Sequence, residues 1–181
     1  MPGELFCGEN YRMSELSAAV GLVQLARLDW IQENTHRAYW HLRREIELPE
    51  GVRWIEPADP EGVCGYMLGM IFDTRELAQK AFGAQIGLGG MASGGIHGAR
   101  DWHLYKYWEH ILDKKSATEE GCPFACPKVG DNLPEYSRDM CPRTEGILLR
   151  TAFISTAPTM TEEYLSHRAD QVTEGLRKAL K

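Results

Sequence analysis

The sequence predicts an α/β chain of the α+β kind, with a long N-terminal helix and flanking helices laid on a small, mainly antiparallel sheet. Three observations predict it. Helical periodicity runs from residue 14 to about 46, strand-like runs stand at 52–55, 66–72 and 147–154, and a capping box opens a closing helix at 159–162. The order is therefore long helix, strand, strand, helix, weak strand, loop, strand, helix.

Ser14 suits the N-cap of the first helix, with Glu15 in the first turn where the helix dipole favours a carboxylate. Leu16, Val20 and Val23 form one apolar stripe, and Leu22, Leu25 and Leu28 form a neighbouring one. Ser17, Ala18, Ala19 and Gly21 are small enough for another backbone to approach. This half of the helix is thus expected to be buried on several sides. The rest of the chain offers little to cover it, so the cover is expected from another domain or subunit. Beyond Asp29 the pattern turns amphipathic, through Ile31, Tyr39, Leu42 and Ile46, and the turn signal Leu48-Pro49-Glu50-Gly51 ends it.

The period then changes. Residues 52–55 read as a short strand, and 66–72, apolar throughout, as one covered on both faces. Asp73 or Thr74 caps a helix over about 75–82, and a weak strand is expected at 86–88 inside a glycine-rich stretch. Residues 102–112 are rich in aromatics, and the proline-bearing 114–134 read as loop. A helix over about 135–140 and a strand over 147–154 follow. Thr159-Met160-Thr161-Glu162 then opens a helix reaching Leu180, with Tyr164, Leu165, Val172, Leu176 and Leu180 as its packed face.

The 181 residues suit one ordinary domain, and 43% hydrophobic with 25% charged residues is a globular composition. A net charge of −6 with interspersed signs argues against a nucleic-acid binder. No apolar run is long enough to span a bilayer, and residues 1–4 lack the pattern of a signal peptide. The odd set Cys7, Cys64, Cys122, Cys126 and Cys141 reads as free thiols, so a cytoplasmic location is expected.

Asn10-Tyr11-Arg12-Met13 stands just before the helix. Asn10 brings an amide donor and Arg12 a five-donor fork, both suited to phosphate or carboxylate oxygens. Taken as a bare triplet, the segment would be a turn cap, a packed ring and a surface cation. The longer string decides otherwise. Gly8, Asn10, Tyr11, Arg12, Met13, Ser14, Glu15, Leu16, Ala18, Ala19, Gly21, Leu22, Gln24, Leu25, Leu28 and Asp29 together resemble the start of the small-domain portion of the DegT/DnrJ sugar aminotransferases.

That resemblance implies a homodimeric fold type I enzyme using pyridoxal 5′-phosphate, with each active site built from both subunits. It implies that Asn10 reaches the cofactor phosphate of the neighbouring subunit, with Arg12 also on the cofactor side and Tyr11 toward substrate. The amino group would pass from an amino acid, usually glutamate or glutamine, to a keto-sugar or sugar nucleotide, with the cofactor as electron sink. Residues 1–48 would be the motif segment and a helix at the domain and dimer interfaces, and 49–181 the small C-terminal domain. The family's Schiff-base lysine precedes the motif, whereas the seven lysines here (Lys80, Lys106, Lys114, Lys115, Lys128, Lys178, Lys181) all follow it. The large cofactor domain is therefore expected to lie outside this sequence, and no catalytic residue is assigned within it. The chain alone is expected to be inactive. A non-catalytic dimerisation or binding module is the alternative.

Weaker signals lie further on. Trp102, His103, Tyr105, Tyr107, Trp108 and His110 can be a packed aromatic segment or a sugar-facing loop, and His103 and Tyr105 are the candidate substrate contacts. The spacing of Cys122, Cys126 and Cys141 is not that of a structural zinc site, so no metal is assigned and a zinc-binding adaptor is the least favoured alternative. The glycines of 87–95 lack the order of a dinucleotide-binding loop.

Overall fold

A computed structural model describes residues 12–90, 104–116, 118–128 and 132–181. The helical N-terminal region forms as two helices, α1 (Glu15–Leu25) and α2 (Leu28–Glu45). Neither proline nor glycine stands at the break. The Arg27 amide turns back to Gln24 O at 3.0 Å, one residue short of an α-helical bond. Asp29 then sits in the first turn of α2, where a carboxylate favours a fresh helix start.

The amphipathic part behaves as its pattern predicts. Thr35, Ala38, Tyr39, Leu42 and Ile46 are buried at helical spacing. Thr35 Oγ1 donates to Ile31 O at 2.7 Å, which satisfies that buried hydroxyl. The α1 half does not. Leu16 and Leu22 are 78% and 70% exposed, and no residue of α1 is buried. Among the described residues none supplies the expected cover.

Strands β1 (Val52–Trp54), β2 (Met67–Phe72) and β3 (Thr151–Ser155) make an antiparallel sheet in the order β1-β2-β3, with Arg53 opposite Ile71 and Gly69 opposite Phe153. Period-two alternation sends Leu68, Met70 and Phe72 with Ala152 and Ile154 into the helix-covered core. On the other face Ile55 and Phe153 pack close to Gly69, where a Cβ would come within 3.0 Å of Ile55 Cδ1. Central β2 is thus covered on both sides, as its continuous apolar run predicts.

Helix α3 (Arg75–Gly83) is capped by Thr74, whose side chain accepts from the Leu77 amide at 3.2 Å. The expected strand at 86–88 is instead a single bridge, with Gly89 and Phe153 exchanging bonds of 2.9 and 2.7 Å beyond the β3 edge. The expected helix at 135–140 is absent. The chain turns at 138–140 and α5 (Pro142–Leu148) begins only where Pro142 takes the first helical turn. That helix takes the first residues of the expected 147–154 strand, because a short apolar run cannot by itself tell helix from strand.

Helix α6 (Glu162–Ala179) is capped by Thr161, which accepts from the Tyr164 amide at 3.2 Å, so the cap lies two residues beyond Thr159. Leu165, Ala169, Val172 and Leu176 are buried against α2 and α3, whereas Tyr164 is 49% exposed and stands off the packed face. Cross-links reinforce this layer. Arg43 lies 5.6 Å from the ring centroids of both Trp40 and Trp54 and pairs with Glu56 at 2.5 Å, tying α2 to β1.

Candidate functional site

The chain entering α1 is set by its cap. Ser14 is extended, with φ −69° and ψ 153°, and its Oγ accepts from the Ser17 amide at 3.1 Å. Arg12, two residues before this cap, is exposed. An eleven-residue helix with a guanidinium two residues before its cap is a donor set suited to a phosphate or carboxylate. Asn10 and Tyr11, the neighbours expected to share this work, lie outside the described residues.

The aromatic segment is held by a different set of contacts. Buried Leu104 precedes a 3-10 turn at Tyr105–Tyr107, followed by the short helix α4 (Glu109–Leu112). The Tyr105 hydroxyl donates to Arg138 O at 2.7 Å and accepts from the Cys141 amide at 3.0 Å. Arg138 donates in return to Lys106 O, and Lys106 pairs with Glu145 of α5. These bonds fasten the turn to the start of α5. The Tyr105 hydroxyl therefore has its hydrogen and one lone pair engaged inside the chain, leaving the ring and a second lone pair for any ligand. His103 lies outside the described residues. Sequence reasoning did not find Arg138, Cys141 or Glu145, which stand 32 to 39 residues from their partners and follow no local spacing.

A cleft of about 300 Å³ is lined by Asp29, Gln32, Glu33, His36 and Glu61. His36 Nε2 lies 2.8 Å from Trp40 Nε1, which donates to it, and 3.3 Å from Pro60 O. Three carboxylates make this lining unsuited to a phosphate. Among the described residues no group of three or more His, Cys, Asp or Glu side chains is placed to hold a metal ion. None of the described helices is long and apolar enough to cross a membrane.

The exposed α1, the Ser14-capped entry and the guanidinium before it all fall within a region that matches a known profile. The profile of the DegT/DnrJ/EryC1/StrS aminotransferase family matches residues 2–119. Its full-length members are pyridoxal-phosphate-dependent sugar aminotransferases. Because the match covers more than half of the 181 residues, this chain belongs to the DegT/DnrJ/EryC1/StrS aminotransferase family.

Proposed function

We propose that this chain supplies the small-domain side of a sugar aminotransferase active site in a homodimer, with its motif segment reaching the cofactor of the neighbouring subunit. The observation that supports this reading is α1. Directly after the motif stands a helix of small and apolar residues that the chain's own core leaves exposed. Such a face belongs against a large domain or a second subunit. An arm at its foot then reaches a neighbour's site more readily than its own.

In this reading Asn10 and Arg12 hold the phosphate of pyridoxal 5′-phosphate, which when bound supplies an electron sink for amino transfer. Tyr11, His103 and the Tyr105 ring face a keto-sugar or sugar nucleotide. An amino acid such as glutamate or glutamine is the donor, and the cytoplasm is the working compartment. The lysine that carries the cofactor in this family precedes the motif, and no lysine does so here. The chain by itself therefore does not transaminate.

Two measurements test this. The purified chain, given cofactor, glutamate and a keto-sugar nucleotide, should show no turnover and no specific lysine labelled on borohydride reduction. Joined to a lysine-bearing large domain of the family, it should gain activity, and Asn10→Ala or Arg12→Ala should raise the cofactor's Kd by roughly tenfold, the loss of about 1.4 kcal/mol of phosphate contact. Turnover by the chain alone overturns the shared-site reading. An unchanged cofactor Kd in both variants would favour a non-catalytic dimerisation module.

A further inference from the structure

Cys122 and Cys126 lie on an ordered, accessible turn that neither the fold's core nor the aminotransferase reading uses. The turn is tied at several points. Ser116 Oγ donates to Cys122 O at 2.6 Å, and the Cys122 amide donates to Thr118 Oγ1 at 3.2 Å. The Ala125 amide closes back on Gly121 O at 2.8 Å, and the Cys126 amide turns to Pro123 O at 3.4 Å. Both backbone polar atoms of Cys122 are thus fixed to residues 116 and 118, and the chain is curled so that position 126 returns to it. Both thiols are free, with Cys122 exposed and Cys126 half-buried.

We propose that Cys122 and Cys126 are a dithiol modification site that low-molecular-weight disulfides oxidise reversibly to an intramolecular disulfide. The thiolate of one cysteine attacks a sulfur of the oxidant, whose S–S bond breaks and whose first thiolate leaves with the electron pair. The second cysteine, deprotonated to solvent, attacks the cysteine sulfur of the mixed disulfide. A Cys122–Cys126 bond forms and the second thiolate leaves, so two electrons pass from the chain to the oxidant and two protons pass to solvent. The bonds from the Ala125 amide to Gly121 O and from the Cys126 amide to Pro123 O curl residues 122 and 126 toward one another, the approach that a disulfide requires. The ring closed is short, so the bond constrains the unfolded chain little and remains easy to reduce.

Partial desolvation by the surrounding turn, then the adjacent Cys126 and Glu120, push the exposed Cys122 thiol above its ordinary value of 9.0. Reaction through its thiolate should therefore quicken as pH rises, without a plateau below that value.

The experiment uses the full chain with glutathione disulfide, followed by alkylation of remaining thiols, tryptic digestion and mass spectrometry. Residues 116–128 form one tryptic fragment containing Cys122 and Cys126 and no other cysteine. The expected product is that fragment lighter by two hydrogens, restored by dithiothreitol, while Cys64 and Cys141 stay alkylated. Cys122→Ser and Cys126→Ser should each accumulate a glutathione adduct on the surviving partner. The ratio of internal to mixed disulfide should be at least about tenfold higher in buffer than in urea, since the folded turn raises the effective concentration. An equal ratio in urea, or an adduct on Cys122 in the unaltered chain that never resolves to the internal bond, overturns the proposal.

Discussion

Arg37 and Met160 are 123 residues apart, yet Arg37 Nη2 donates to Met160 O at 2.8 Å. Met160 immediately precedes Thr161, the cap of α6, so a side chain of α2 fixes where the last helix begins. The bond is partly buried, and removing the donor strands the carbonyl away from its partner. Arg37→Met keeps most of the apolar stem and should cost about 1–2 kcal/mol. In urea titration it should lower the midpoint without changing the slope. Arg44→Met on the exposed side of the same helix should stay within about 0.5 kcal/mol and serves as control. Equal effects at the two positions would remove the special role of Arg37.

Gly65 stands at φ +77° where the chain crosses α2, and a Cβ there would lie 3.0 Å from Tyr39 Cβ and 3.2 Å from Thr35 O. Both the backbone conformation and the space demand glycine. Gly65→Ala should therefore cost about 1–3 kcal/mol. Gly146 in α5 has open space around it, and Gly146→Ala should not destabilise. Thermal melts of the two variants decide the matter, and a Gly65→Ala melt no lower than that of the parent would refute it.

Glu76 in the first turn of α3 is held below the ordinary carboxylate value of 4.5, first by a backbone amide at the helix start, then by the Thr74 hydroxyl and by Arg75. A depressed carboxylate stabilises the fold above its unfolded value, and that contribution is lost as pH falls through the folded value. Glu76→Gln should thus be less stable than the parent near neutrality, with the difference vanishing in acid below the folded value. The Glu76 carboxyl should titrate by NMR with a midpoint under 4.5. Stability curves that run parallel from neutral to acid pH would rule this linkage out.

Much of this fold was legible in the residue order, and the misses have physical causes. The Tyr39, Leu42 and Ile46 stripe and the apolar β2 run were readable because period and burial agree. Residues 147–149 were misread because Ile147, Leu148 and Leu149 suit helix and strand alike, and tertiary context decided for α5. The family motif was legible as a string of residue types. The clamp on Tyr105 was not, since Arg138 O and the Cys141 amide are backbone atoms that no sequence pattern marks.

The α1 surface separates what holds this chain together from what it presents to others. Val20, Leu22 and Val23 are 55%, 70% and 61% exposed, so polar replacements there remove little burial from the chain's own fold. Core Leu42, fully buried, is the contrast, and Leu42→Ala should cost about 2–5 kcal/mol. A Leu22→Gln, Val23→Ser double variant should leave the urea midpoint within about 0.5 kcal/mol of the parent. It should, however, weaken self-association measured by sedimentation across a concentration series, because the apolar patch that would meet a second copy is gone. A midpoint shift as large as that of Leu42→Ala would mean that α1 packs on its own core in solution. An unaltered sedimentation profile with an unaltered midpoint would take α1 out of any interface between copies and leave the large domain as the surface it covers.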